Sequence, residues 1–218
     1  MVEVAGPAGT GKTTLIEAVA LRDPLIEVGI HLSRIELLRS HGANSVRFLP
    51  AFARGTGSGW LTDAEARAMA YLDGWHRSLG RTPRCRTLIL DHGPLFRLAF
   101  LAEFGSPITK TPELERWWRA SLAKWGSALD VVVWLDSPDD VLISRIRARD
   151  RNHPVKGGSD GEARRFLARY RRGFDRVLAG WSTGSAPLLL RYRTDGCSPT
   201  ELADELIQAL TETGARDG

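Results

Sequence analysis

The chain has 218 residues, 43% hydrophobic and 26% charged, with a net charge of +4. That is enough for one α/β domain with a sizeable core. No apolar run approaches the roughly 20 residues of a membrane helix, and Cys85 and Cys197 have no metal-ligand spacing. This argues against a membrane span, a disulfide framework and a cysteine-bound metal. The N-terminus enters an apolar segment directly, without a secretory leader, so a cytoplasmic protein is expected.

Val2-Glu3-Val4-Ala5 reads as a short strand and Thr14 to Ala20 as a helix. Between them, Gly6-Pro7-Ala8-Gly9-Thr10-Gly11-Lys12-Thr13 fits the pattern G-x-x-x-x-G-K-[ST] at every fixed position. Glycines let the backbone turn its N–H groups into a concavity, and the helix N-terminus adds partial positive charge. Gly6, Ala8, Gly9, Thr10, Gly11, Lys12, Thr13 and Thr14 are therefore the expected nucleotide-binding residues. Lys12 reaches the outer phosphates and Thr13 holds Mg²⁺. The bland alternative is a glycine-rich turn ahead of a helix.

Leu25 to Ile30 reads as a second, buried strand. Ser33 caps a short helix through Arg39, and Glu36, three residues on, makes a capping box. Glu36 thus has a structural role as well as a substrate-binding one to choose from. From Ser40 to Trp60 the pattern dissolves into a loop-rich stretch marked by Gly42, Pro50, Gly55, Gly57 and Gly59. Its Arg47, Phe48, Phe52, Arg54 and Trp60 suit an anionic, ring-bearing acceptor, or a surface loop anchored by two Phe. Thr62 caps a helix through Leu79, with Glu65 completing a second box.

Thr87 to Asp91 is a third apolar strand ending in a carboxylate, followed by helices from Leu95 to Phe104 and from Thr111 to about Trp125. Asp130 to Asp136 is a fourth strand, and Ser137-Pro138-Asp139-Asp140 opens the next helix. A loop from Asn152 to Gly161, a helix from about Glu162 to Ala179, a fifth strand from Pro187 to Tyr192 and a helix ending near Leu210 complete the chain.

Strands alternating with helices make a doubly wound, five-stranded parallel sheet with helices on both faces, in one domain spanning 1–218. Ligands in such sheets bind beyond the C-terminal strand ends, where Asp91, Asp136 and Asp195 fall with the phosphate loop. Charge is concentrated. Ser144 to Arg172 carries nine Arg and one Lys against two Asp and one Glu, a net +7 that leaves the rest of the chain at −3. This suits a local polyanion and speaks against a long nucleic-acid track. An Arg-rich lid over about 145–172, with Arg147, Arg149 and Arg151 as phosphate contacts, follows; a solvated Arg-rich helix pair is the alternative. The guanine-reading Asn-Lys-x-Asp of GTPase switches is absent, since Trp134-Leu135-Asp136-Ser137 stands there.

Four elements in order resemble the thymidylate kinase-like branch of the nucleoside and nucleotide kinases. They are Gly6 to Thr13; Leu90-Asp91-His92-Gly93-Pro94; Leu135 to Val141 with Arg145 to Arg149; and Thr194-Asp195-Gly196-Cys197-Ser198-Pro199. The resemblance implies a P-loop kinase fold, ATP and Mg²⁺ as cofactors, and Asp195 and Gly196 near the adenine. Where that family usually has Asp-Arg at the third strand end, this chain has Asp91-His92. Asp91 is the candidate metal organiser or proton acceptor. Arg34, Glu36, Arg54, His92 and Arg97 are acceptor-side candidates, in a region of about 31–85 plus Arg97. The acceptor is a nucleoside monophosphate or nucleoside, with a modified nucleotide, a non-nucleotide alcohol, an RNA end and a transfer-deficient nucleotide sensor as alternatives. The partner expected is this small-molecule acceptor, without nucleic acid or membrane. Trp117, Trp118 and Trp125 pack as core or as a partner surface, the latter suiting a homodimer.

Overall fold

A computed structural model describes residues 1–30, 32–54, 60–79, 87–150, 153–181 and 186–216, with side chains described for all of these but 49–54 and 213–216. In chain order the elements are β1 (Val2–Ala5), α1 (Lys12–Arg22), β2 (Ile26–Val28), α2 (Arg34–Arg54), α3 (Asp63–Leu79), β3 (Thr87–Asp91) and α4 (Pro94–Phe104). After a 3₁₀ turn at Pro107–Lys110 come α5 (Pro112–Ala128), β4 (Val131–Asp136), α6 (Asp139–Arg147), α7 (Asp160–Trp181), β5 (Leu188–Arg193) and α8 (Pro199–Arg216). The strands form one parallel sheet in the order β2-β3-β1-β4-β5. Register sets Val4 beside Asp91, Ala5 beside Trp134, and Asp136 beside Arg193. The C-terminal ends of β1, β3, β4 and β5 therefore open on one edge, where such sheets bind ligands.

Both sheet faces are buried, which is why β4 reads as an unbroken apolar run. Val131, Val133 and Leu135 pack with Val2 and Val4 against Leu15 and Val19 of α1 and Leu202 and Leu206 of α8. Val132 and Trp134 turn to the other face, against Leu95 and Leu98 of α4, Trp117 and Trp125 of α5, and Phe174 of α7. Each fully buried aliphatic chain contributes about 1.5–3 kcal/mol. Trp117 and Trp125 thus take the core option, and Trp118 packs partly buried with its indole N–H on the Leu98 carbonyl.

Two expectations need correction. β2 is not buried: Glu27 and Val28 are exposed because this short strand forms a sheet edge. Residues 40–54 are not a loop, since α2 runs unbroken from Arg34 to Arg54. Ser40, Asn44 and Phe48, spaced at i, i+4 and i+8, form its buried stripe, and α2 packs on α3. Two polar members hid that stripe from a hydrophobic pattern. Gly42 is tolerated because it points into open space. Gly55, Gly57 and Gly59 lie outside the described residues.

Candidate active site

The phosphate loop is shaped by close approach. Gly6 has φ +148° and Gly9 φ +90°. A Cβ on Gly6 would stand 2.2 Å from the Leu135 carbonyl oxygen, and one on Gly9 would stand 3.0 Å from that of Leu142. Only glycine lets the loop lie this close to β4 and α6. The Thr10 hydroxyl donates to the Pro7 carbonyl at 3.0 Å, which stiffens the turn. Lys12 opens α1, and its ammonium folds back to donate to the Gly6 and Pro7 carbonyls, both at 2.9 Å. Burial, with the Arg149 charge, pushes Lys12 down to about 8 against the pull of Asp91. An anion in the loop would raise its proton affinity again.

At the neighbouring strand end the Thr13 hydroxyl donates to Asp91 Oδ2 at 3.2 Å. His92 Nδ1 lies 3.0 Å from Asp91 Oδ1. Burial acts to raise the Asp91 carboxyl, but His92, Lys12 and Thr13 together hold it below the usual carboxylate range. His92 has φ 53°, left-handed backbone that non-glycine residues seldom adopt and that clusters at functional sites. Its ring stands edge-on to Phe96 at 4.5 Å.

Sequence reasoning missed what braces this turn. Glu3, inside β1, accepts the Leu95 N–H at 2.7 Å and the Phe96 N–H at 3.0 Å, capping α4. A Cβ on Gly93 would stand 2.7 Å from the Glu3 carboxyl carbon. Full burial pushes Glu3 up to about 8 despite these donors. The signal was a carboxylate in an otherwise apolar central strand.

Two clefts meet at the loop. One, of about 400 Å³, is lined by Gly11, Thr14, Leu135, Arg145, Thr194 and Cys197 among others. The other, of about 380 Å³, runs from Lys12 and Thr13 past His92 and Phe96 to His153, Phe166 and Tyr170. Arg149 lines both. Arg145, four residues earlier on α6, donates to the Thr194 hydroxyl at 3.0 Å and the Thr194 carbonyl at 2.8 Å. It was noticed in the sequence as part of a basic run, without a role. Arg147, between the two, faces away, pairing with Asp160 at 2.7 Å and donating to the Gly158 carbonyl at 2.9 Å. It braces the lid and lines neither cleft. Arg151 lies outside the described residues.

Asp195 is exposed and tied to Arg193 at 2.8 Å, and Gly196 faces open space. Their neighbours Thr194 and Cys197 line the first cleft instead. Asp136 lines neither cleft. Arg171 grips it through Nε at 3.0 Å and Nη2 at 2.9 Å, and reaches Asp139 at 2.6 Å, tying α7 to the end of β4.

On the acceptor side the sequence-derived candidates separate. His92 lines the cleft. Arg97 does not: its guanidinium lies over Tyr71 at 4.3 Å and Trp75 at 4.7 Å, and burial pushes it down to about 10. Arg34 is exposed in the first turn of α2. Glu36 performs the capping role, accepting the Ser33 N–H at 2.9 Å and hydroxyl at 2.8 Å. Neither lines a cleft. The Arg54 side chain lies outside the described residues. The aromatic wall of Phe96, Phe166 and Tyr170 was not foreseen. It joins helices some 70 positions apart, and no local pattern announces such a pairing.

Thr13 and Asp91 supply two oxygen ligands side by side, and among the described residues no cluster of three or more His, Cys, Asp and Glu forms a metal cage. This donor set fits Mg²⁺, which keeps waters and takes its remaining ligands from phosphates. The glycine cradle and Lys12 fit a triphosphate.

No protein-family model matches the chain, and no curated protein matches it in sequence. Solved structures do match its fold. The YorR protein of Bacillus subtilis, solved with phosphorylated GDP, aligns over 96% of this chain and 95% of its own, with a TM-score of 0.53 and 15% identity. Deoxyadenosine kinase from M. mycoides, solved with its products dCMP and dCDP, aligns over 97% and 98%, with a TM-score of 0.55 and 11% identity. The same kinase with dCTP aligns over 96% and 100%, with a TM-score of 0.50 and 12% identity. The chain has the fold of the P-loop nucleoside and nucleotide kinases, as its motifs imply.

Proposed function

We propose that this P-loop fold serves a Mg-ATP-dependent phosphotransferase, which moves the γ-phosphate to a nucleoside or nucleoside monophosphate. The order of the four motifs favours the thymidylate kinase-like branch. The observation that carries the reading is the meeting of Lys12, the Thr13–Asp91 pair and Arg149 at the mouth of a cleft that continues beyond the loop. A bare nucleotide switch needs no such room past the γ-phosphate; a transferase needs it for the acceptor.

Lys12 exchanges its loop carbonyls for the β- and γ-phosphate oxygens and holds charge there as it develops. Backbone N–H groups of the glycine turn cradle the inner phosphates. Thr13 and Asp91 would hold Mg²⁺, which would supply charge neutralisation for the phosphates. Asp91, kept ionised by its neighbours, serves either to orient the metal's water or to accept the acceptor's hydroxyl proton. Arg149 covers the loop from the lid and excludes water, which would otherwise take the phosphoryl group. Arg145 frames the cleft for the donor base.

The reading is tested by coupled ADP release against a panel of nucleosides, monophosphates and small alcohols. An acceptor that raises turnover above the water rate, with Asp91→Asn abolishing the rise, supports it. Turnover indifferent to every acceptor would assign a nucleotide sensor or hydrolase instead.

A further inference from the structure

A third cleft opens between α2 and α3, away from the phosphate loop. Its volume is about 260 Å³, the scale of a small ring compound. Leu61, with Ala66 and Met69 of α3, gives it an apolar floor. Trp60 lines it while 74% exposed, so an indole face is left for a flat partner to cover.

Two polar groups meet this apolar surface. Asn44, 6% exposed, lines the cleft, and among the described residues its Nδ2 has no hydrogen-bond partner. Buried amide donors are nearly always paired, so an unpaired one marks a place where an acceptor belongs. Asp63, in the first turn of α3, brings a carboxylate to the same cleft. The walls are already fixed. Arg77 of α3 donates to the Ser40 hydroxyl of α2, one turn before Asn44. Glu65, 1% exposed, accepts the Thr62 N–H at 2.7 Å and the Ser106 hydroxyl at 3.0 Å, anchoring the start of α3 beside Asp63. A cleft held open in this way loses little freedom when filled.

This cleft lies within residues 31–85, yet none of the residues lining it lines either cleft at the phosphate loop. By helical spacing, Ala66 and Met69 point away from Tyr71 and Trp75, which carry Arg97. An occupant here is not the group that receives phosphate.

We propose that the α2–α3 cleft is a second ligand site, for a flat, unphosphorylated nitrogen heterocycle of the nucleobase class. Its face stacks on Trp60, a ring carbonyl or aza nitrogen accepts the Asn44 N–H, and a ring amine donates to Asp63. Asp63 also sets the charge, because a phosphate on the ligand would meet a carboxylate. The site involves binding alone and does not depend on the phosphotransfer reading.

The test follows the Trp60 indole N–H by NMR in the isotope-labelled full chain, assigned by its loss in Trp60→Phe. The probes are cytosine, adenine, cytidine and cytidine 5′-monophosphate. Cytosine, adenine and cytidine are expected to shift the signal with a Kd at or below about 1 mM, within reach of ligands this small. Cytidine 5′-monophosphate is expected to bind at least about fivefold more weakly than cytidine, and Asp63→Asn to narrow that gap. Asn44→Leu removes the donor and is expected to weaken cytosine at least about tenfold. Should that buried substitution unfold the chain, Asp63→Asn, on an exposed residue, carries the test: it is expected to weaken cytosine and adenine about fivefold. No shift of the Trp60 signal with any probe overturns the site. A shift whose Kd is unmoved by the Asn44 and Asp63 variants marks unspecific contact with an exposed indole and overturns it equally. A monophosphate bound as tightly as its nucleoside overturns the ligand class. All three outcomes leave phosphotransfer standing.

Discussion

Thr13 and Asp91 lie 78 residues apart in the chain, yet the threonine hydroxyl meets the carboxylate at 3.2 Å. The contact follows from the sheet. β1 and β3 are parallel neighbours with Val4 beside Asp91, so the loop leaving β1 folds over the end of β3. The first residues of α1 are thereby delivered to a carboxylate that no local pattern could have paired with them. The following predictions rest on this arrangement.

Lys12→Ala separates catalysis from folding. The ammonium is buried, and burial lowers its proton affinity to about 8, so its charge opposes folding. Removing it is expected to leave the melting temperature unchanged or raised, while transfer falls by about 10²–10³, or roughly 3–4 kcal/mol of transition-state stabilisation. Thermal denaturation and single-turnover kinetics on the same preparation check both halves.

Arg145 and Arg147 differ by two positions and are expected to differ sharply in effect. Arg145 lines the donor-base cleft and holds Thr194 through two hydrogen bonds, of 3.0 and 2.8 Å. Arg145→Ala should cost about 1.5–3 kcal/mol of stability, the worth of hydrogen bonds to a charged group, and weaken nucleotide binding by loosening the cleft wall at Thr194. Arg147 makes a half-exposed lid pair with Asp160, worth under about 1 kcal/mol. Titration calorimetry with ATP is expected to show Arg147→Ala near wild type.

Glu3 predicts a pH signature. Its folded pKa, about 8, stands above the 4.5 of the exposed group. The folded state therefore binds the proton more tightly, and this stabilisation is complete below 4.5 and lost as pH rises through about 8. The melting temperature of the wild type relative to Glu3→Gln should be highest near pH 4.5 and decline toward pH 8. A difference flat across that window would mean that the Leu95 and Phe96 N–H groups outweigh burial.

Much of the architecture was legible. β3 was read at its observed bounds, and the Thr62–Glu65 box opens α3 as expected, with the Glu65 carboxylate accepting the Thr62 N–H at 2.7 Å. The phosphate loop was legible because its chemistry demands fixed residue types at fixed spacing. What stayed hidden depends on partners distant in sequence. The Ser40–Asn44–Phe48 stripe became readable only against α3, and Glu3 only against the N-terminus of α4. Arg97 was reasonable as an anion contact from its position, but Tyr71 and Trp75 on α3 hold it elsewhere. Arg145 and Arg149 both line the clefts while Arg147 faces away. α6 ends at Arg147, so helical spacing could separate Arg145 from Arg147 but not place Arg149.

The central claim is that the chain transfers the γ-phosphate to an acceptor. ATP labelled at the γ-phosphate, incubated with the full chain, Mg²⁺ and a panel of nucleosides, tests it most directly. The account predicts label in a phosphorylated acceptor, formed faster than inorganic phosphate and lost in Asp91→Asn. Label appearing only as inorganic phosphate, at a rate untouched by any acceptor, would contradict it.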